Sequence, residues 1–109
     1  MKKARDLGTR VLVERIVYFA DGRYEARIKV LKIPKSLKFP DGFKVSCVLL
    51  DTVTKNVRLV LDNHQPFGYH VHTELPHNKN ARLKIELKNY NEAIRFFYIE
   101  VRKLANEEK

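Results

Sequence analysis

The chain is poor in cysteine and in long apolar runs, and each shortage excludes a class of protein. One cysteine, Cys47, in 109 residues allows no intramolecular disulfide and no zinc site built from thiolates. Cys47 lies in an alternating apolar segment, so we expect it in the core. No apolar stretch approaches the roughly 18 to 20 residues that a transmembrane helix needs. The N-terminal lysines are followed by no apolar signal-peptide core. We therefore expect a soluble, cytoplasmic protein with no membrane partner.

Acidic residues are also few, since 13 Asp and Glu stand against 22 Lys and Arg, for a net charge of +9. A surface with this excess attracts a polyanion without any base-specific contact. We expect RNA as a partner, although a solvated basic face is the alternative interpretation of the same charges. The side chains predicted to contact RNA are Arg27, Lys29, Lys32, Lys35, Lys38, Lys44 and Arg58.

Two strands joined by a tight turn are predicted near the start of the chain. Residues 10–19 are rich in Val, Ile and aromatic residues, and Asp21-Gly22 then supplies the positive φ angles of a hairpin turn. The next segment alternates between apolar and charged residues, which is the period of a strand with one buried face. That buried face is predicted to carry Tyr24, Ala26, Ile28 and Val30.

The middle of the chain predicts two further strands and an irregular loop. Residues 34–42 contain two prolines and an Asp-Gly pair, which favours a connecting loop. Alternating apolar residues predict strands over 43–50 and 57–61. Residues 65–80 have no helical period, which indicates an ordered loop around a short extended piece at Tyr69–Thr73.

The last part of the chain predicts a fifth strand, over 83–87, and a helix. Asn89 followed three residues later by Glu92 is typical of a capping box. Apolar residues then recur at helical spacing, at Ile94, Phe97, Val101 and Leu104. The sequence therefore predicts one α+β domain over 1–109, an antiparallel meander sheet of about five strands with one C-terminal amphipathic helix packed on it.

The histidines carry the clearest chemical signal. All four lie close together in the chain, at His64, His70, His72 and His77. In an extended backbone His70 and His72 project from the same face, while Val71 points the other way. Such a pair can ligate a divalent metal with His64 or Asp62, can transfer protons because imidazole titrates near neutral pH, or can hydrogen-bond to the loop backbone. The sequence leaves all three roles open.

Other polar and aromatic residues near this segment also have two interpretations. Asp62 and Asn63 can end a strand and form a turn, or Asp62 can orient a histidine. Tyr18, Phe67 and Tyr69 can stack on unpaired bases or pack in the core. The sequence has no phosphate-binding glycine loop and no serine-nucleophile motif.

An ordered set of short motifs resembles a known family. The motifs are Ile33-Pro34, Pro40-Asp41-Gly42-Phe43-Lys44, Arg58, Asp62-Asn63 and His70-x-His72, followed by an aromatic-rich C-terminal helix. This order resembles the TumE-like family, the toxin components of bacterial and archaeal toxin–antitoxin systems. The resemblance implies a toxin whose partner is a helix-turn-helix antitoxin. It places Asp62, Asn63, His70 and His72 at the positions of the family's motif.

Two functions from different classes remain open, and with them the question whether the protein is an enzyme. The first is a toxin that acts on RNA as a metal-independent endoribonuclease. In it, His70 and His72 share the acid and base roles, Asp62 orients one of them, His64 completes the site, and Lys or Arg stabilises the developing charge. This function needs no cofactor.

The second function is a non-catalytic module that binds nucleic acid or a partner protein, with the histidine segment at an interface or around a structural metal. A homodimer is compatible with either function. Convergence of His70, His72 and a cationic side chain on one open cleft would favour the enzyme, whereas buried or scattered histidines would favour the binding module.

Overall fold

The structure is a computed structural model that describes residues 8–73, 75, 77–78 and 80–107. Within these residues the chain forms six strands and one helix. They are β1 (Arg10–Phe19), β2 (Tyr24–Lys32), β3 (Phe43–Asp51), β4 (Val57–Asp62), β5 (His70–His72), β6 (Leu83–Lys84) and α1 (Tyr90–Glu107). The first four strands and the helix therefore lie where the sequence places them.

The strands of the described chain form one antiparallel sheet in the order β1-β2-β3-β4-β5-β6, which confirms the predicted meander. The sequence pattern predicts about five strands. The sixth arises because the extended piece within Tyr69–Thr73 pairs with β4 as β5 instead of staying in the loop. The strand predicted over 83–87 shortens to Leu83–Lys84, which pairs with His70 and Val71 of β5.

The turn between β1 and β2 has the backbone that Asp21-Gly22 predicts. Ala20, Asp21 and Gly22 have φ angles of 52°, 54° and 90°. The Arg23 N–H donates to the Ala20 carbonyl at 3.0 Å. The turn fixes a register in which the predicted apolar face of β2 is buried, with Tyr24, Ala26, Ile28 and Val30 at most 1% exposed.

One face of the sheet is covered by α1. The apolar stripe of the helix, Ala93, Ile94, Phe97 and Val101, packs against buried side chains of β2, β3 and β4. Cys47 lies in this core, as predicted. Burial, with a smaller contribution from the charge of Asp62, raises the pKa of the Cys47 thiol to about 12. In the part of the chain that the structure describes, no helix combines the length and apolarity needed to cross a bilayer.

The helix begins with the capping interaction that the sequence predicts. Oδ1 of Asn89 accepts a hydrogen bond from the Glu92 N–H at 3.0 Å. In return, Oε1 of Glu92 accepts one from the Lys88 N–H at 2.8 Å, one residue before the Asn89 cap. Two backbone donors at the start of the helix are thereby satisfied, which defines where α1 begins.

The opposite face of the sheet, which we call the outer face, is not covered by α1. Strand alternation places on it Tyr18 from β1, Arg27 and Lys29 from β2, Lys44 and Ser46 from β3, Asp62 from β4, and His70 and His72 from β5. The register pairs Ser46 with both Lys29 and Asp62, and Asp62 with His70. Predicted RNA contacts and the histidine pair therefore share one face of the sheet.

Candidate functional site

The segment that joins β4 to β5, residues 63–69, folds back over the outer face and is called the histidine loop below. The N–H groups of Phe67 and Gly68 both donate to the His64 carbonyl, at 3.2 and 3.1 Å, which closes a tight turn. The Gln65 N–H donates to the Lys38 carbonyl at 2.9 Å, and the Gln65–Pro66 peptide bond is cis. The Gln65–Lys38 hydrogen bond thus joins the histidine loop to the 34–42 loop.

Asn63 has a structural role at the start of this loop. Its Oδ1 accepts a hydrogen bond from the Val45 N–H, and its Nδ2 donates to the Phe43 carbonyl, both at 2.9 Å. The side chain therefore continues the pairing with β3 beyond the end of β4, and it is only 6% exposed. The sequence leaves two roles open for the Asp62-Asn63 pair, and Asn63 has the structural one, at the end of a strand.

Three of the four predicted catalytic side chains form a close group. One candidate ligand atom from each of Asp62, His64 and His70 lies within 4.8 Å of the other two. The rings of His64 and His70 are 4.9 Å apart between centroids and perpendicular. His72 extends the group, since its ring lies 5.3 Å from that of His70, as their shared strand face predicts. His77 is exposed and lies outside the group.

His70 is the buried member of this group, with no exposed surface. Its Nδ1 is 2.8 Å from the Gly68 carbonyl oxygen. Among the described residues its Nε2 has no hydrogen-bond partner. His64 and His72 are half-buried. The sequence predicted His70 as an acid or base; in the structure His64 and His72, not His70, have surface that a substrate can reach.

The cover over His70 comes from residues that no sequence motif assigns to the site. The Phe67 ring lies 5.4 Å from the His70 ring and 5.6 Å from the His64 ring. The guanidinium of Arg82, which precedes β6, lies 4.0 Å from the centre of the Phe67 ring, a cation–π contact. No local pattern could identify Arg82, because it reaches the site only through the pairing of β6 with β5.

A pocket of about 200 Å³ opens beside Asp62 and His64. Its lining includes Lys38 from the 34–42 loop and Lys44 from β3, together with Phe39, Val45 and Asn63. Both lysines are exposed, and within the described residues neither forms an ion pair with a carboxylate. Two predicted RNA contacts thus meet two predicted catalytic residues in one open pocket. We call it the lysine pocket.

Two other predicted RNA contacts, Arg27 and Lys29, lie on the outer face but have acidic neighbours. The guanidinium of Arg27 pairs with Glu25 of the same strand. The ammonium of Lys29 lies 3.7 Å from the carboxylate of Glu14 on β1. The Arg27 and Lys29 side chains are themselves exposed, so a phosphate can reach both, although each charge is partly neutralised by its acidic neighbour.

The remaining predicted contacts lie away from the histidines. The Lys32 ammonium lies 5.0 Å from the centre of the Phe43 ring, at the end of β2 and on the side of the sheet that faces α1. Lys35 is exposed in the 34–42 loop. Arg58 is half-buried, with its guanidinium 3.9 Å from the Asp51 carboxylate at the far end of β4. The structure does not bring these three into the lysine pocket.

The aromatic residues considered for base stacking have different surroundings. Tyr18 is 60% exposed on the outer face. The Phe67 ring is used to cover His70. Tyr69 packs partly against the core, where burial, the charge of Asp41 and that of Cys47 raise the pKa of its hydroxyl to about 12. Of the three, Tyr18 has the surface to stack on a base.

Comparisons with known proteins give no relative from which to transfer a function. The chain matches no protein-family model, no curated protein and no solved structure. The resemblance to TumE-like toxins stays a prediction from the motifs. What the fold and site define is an α+β domain whose outer face carries both basic and acidic side chains, with a lysine pocket and an adjacent group of Asp62, His64 and His70.

Proposed function

We propose that this protein binds single-stranded RNA and that the lysine pocket holds a phosphate of its backbone. The observation that carries the proposal is the meeting of Lys38 and Lys44 in one open pocket, with no described carboxylate paired to either. Asp62 lines the same pocket and is the one acidic residue there. Two exposed lysines that line one pocket suit a phosphate, which ammonium groups bind as point charges.

The outer face supplies the contacts that a longer strand of RNA needs. Arg27 and Lys29 are exposed along β2, and Tyr18 presents an exposed ring on neighbouring β1. A basic surface with an aromatic side chain is the common platform for unpaired nucleic acid, because phosphates meet the cations and a base stacks on the ring. The net charge of +9 adds a long-range attraction.

The dependence of binding on salt tests this proposal. Fluorescence anisotropy of a labelled single-stranded RNA should show binding at low ionic strength that weakens steeply as salt is added, because phosphate neutralisation releases counterions. A slope near −0.7 per contacted phosphate in a plot of log K against log salt is expected for single strands. Absence of binding at low salt, or affinity that salt does not change, would rule the proposal out.

We infer a toxin role from the TumE-like resemblance, with a helix-turn-helix antitoxin as the protein's partner. The motif residues Asp62 and His70 are register partners on β4 and β5, and His72 lies beside them, so the residues that carry the resemblance are close in space. Expression of the chain should arrest growth, and co-expression of the product of a neighbouring gene should relieve the arrest. Unimpaired growth at high expression would exclude the toxin role, but it would not affect the proposal of RNA binding.

RNA cleavage is the second candidate function, and the position of His64 favours it. This half-buried ring lines the lysine pocket beside Asp62, so it could take the proton of a ribose 2′-hydroxyl as that oxygen bonds to the adjacent phosphorus. The bond from phosphorus to the 5′-oxygen of the next nucleotide then breaks, that oxygen takes a proton from water, and Lys38 and Lys44 stabilise the charge on the phosphate. His64→Ala should then reduce RNA cleavage by roughly 10² to 10⁴, the usual contribution of a general base. His77→Ala is the matched control, since His77 is exposed and outside the group. Equal cleavage by both variants would exclude His64.

A further inference from the structure

We propose that Asp62, His64 and His70 bind a divalent transition-metal ion such as Zn²⁺. The three residues offer one carboxylate oxygen and two ring nitrogens, all within 4.8 Å of one another. Two histidines and one carboxylate are a donor set that zinc and iron(II) sites use, with at least one coordination position left for a water molecule or a substrate atom. The proposal goes beyond RNA binding, and its test needs no RNA.

The hydrogen bond of His70 prepares this ring to act as a ligand. A carbonyl oxygen can only accept, so the 2.8 Å contact with Gly68 requires the proton on Nδ1. In the neutral ring, Nε2 then presents a lone pair. Metal-binding histidines almost always donate their second nitrogen in this way, most often to a carboxylate or a backbone carbonyl.

The free nitrogen of His70 is a buried polar atom that needs a partner. The side chain has no exposed surface, and in the described part of the chain Nε2 makes no hydrogen bond. Buried polar atoms of this kind are uncommon in folded proteins, because each loses its bonds to water without replacement. A metal ion bound to Nε2 would provide the missing interaction, whereas the hydrogen bond of His70 to the loop backbone uses only Nδ1.

To bind one ion, the ligand atoms of Asp62, His64 and His70 must move closer together than they are in the structure. Ligand atoms on a tetrahedral zinc ion are about 3.3 Å apart, since each zinc–nitrogen bond is about 2.0 to 2.1 Å long. Asp62 and His64 are half-buried, so their side chains can rotate toward the fixed ring of His70. Both also line the lysine pocket, which places the remaining coordination position on its open side.

The lysines of the pocket affect which fourth ligand the ion would take. Lys38 and Lys44 repel a bare cation, so they lower its affinity, but they attract an anion bound to it. Hydroxide or a phosphate oxygen is therefore the expected fourth ligand. A bound ion would make His64 a ligand instead of a base, and RNA cleavage would then be sensitive to chelators.

Zinc titration of the whole chain, purified without a histidine tag and treated with a chelator, tests the proposal. Isothermal calorimetry should give one Zn²⁺ per chain, and excess Zn²⁺ should raise the melting temperature, because an ion that binds only the folded state stabilises it. Asp62→Asn and His64→Ala should each weaken binding by at least about 10- to 100-fold, the loss already seen when residues that only support a ligand are changed. Both side chains are half-buried, and circular dichroism checks that the variants fold.

His77→Ala is the control, because it removes an exposed histidine of the same region that lies outside the group. This variant should bind Zn²⁺ like the unchanged chain. The proposal is overturned if the unchanged chain does not bind Zn²⁺. It is also overturned if both site variants bind Zn²⁺ as tightly as the unchanged chain, or if His77→Ala binds it more weakly. RNA binding measured without zinc is a separate result, so failure of the metal site leaves the proposed RNA function in place.

Discussion

Asp51 at the end of β3 is a fully buried carboxylate whose charge the fold stabilises. Its oxygens accept hydrogen bonds from Nη2 of Arg23 at 3.0 Å and from the N–H groups of Val53 and Thr54 at 2.9 and 3.1 Å. The Arg23 hydrogen bond and the two backbone amides outweigh the opposing effect of burial and lower the pKa of Asp51 from 3.8 to about 2. The group therefore favours the folded state wherever it is ionised.

This lowered pKa predicts how stability depends on pH. Because the folded pKa lies below the unfolded one, the contribution of Asp51 is complete above about pH 4 and is lost as pH falls toward 2. Asp51→Asn should cost on the order of 2 kcal/mol of unfolding free energy at pH 7, since one pKa unit corresponds to about 1.4 kcal/mol. Urea denaturation of both proteins at pH 7 and at pH 2 measures this difference in unfolding free energy. The exposed Asp21→Asn is the control, and a difference that persists unchanged at pH 2 would contradict the assignment.

Single residues also show what the sequence could and could not predict. The core position of Cys47 follows from strand alternation and is confirmed. The shared face of His70 and His72 follows from the same period. The burial of His70 does not, because it depends on the histidine loop folding back and on Phe67 covering the ring. Alternation assigns a residue to a face, but it does not say what covers that face.

At the scale of elements, α1 and the long strands were predictable because each has many residues in one repeating pattern. The stripe of α1 and its Asn89–Glu92 cap are both present. The prediction was weaker for β5 and β6, which have three and two residues. Ile85 and Leu87 keep the predicted alternation and pack against the core beyond the end of β6, and the Ile85 N–H still donates to the Tyr69 carbonyl at 3.0 Å. Whether strands as short as β5 and β6 pair depends on the strand beside each of them, and a local sequence pattern does not show which strand that is.

Phe97 tests how far α1 stabilises the domain. Its ring has no exposed surface and lies in the core between the helix and the sheet. Phe97→Ala should lower the unfolding free energy by about 3 to 5 kcal/mol, because it removes buried area and leaves a cavity. Ile99→Ala is the matched control on the same helix, since Ile99 is 46% exposed. Urea denaturation of both variants measures the difference, and a loss under about 1 kcal/mol for Phe97→Ala would show a peripheral helix.

At the scale of the whole molecule, the sheet separates two kinds of surface. One face packs under α1, and the outer face carries basic side chains and the histidine group. Composition predicted an anion-binding protein but not where the charges meet. Lys38 and Lys44 come together because the 34–42 loop and the start of β3 border the histidine loop, through the Lys38–Gln65 backbone bond. Tertiary contacts of this kind lie outside any sequence window.

The most direct test of RNA binding at the lysine pocket compares two variants of equal net charge. Lys38→Glu/Lys44→Glu reverses the pocket lysines, whereas Lys55→Glu/Lys103→Glu reverses two exposed lysines on the turn after β3 and on α1. Because both pairs change the net charge equally, general attraction falls equally in both. Anisotropy titration with single-stranded RNA at one fixed salt concentration should show a loss of at least about tenfold more affinity for the pocket variant. Equal affinity of the two variants would contradict the account.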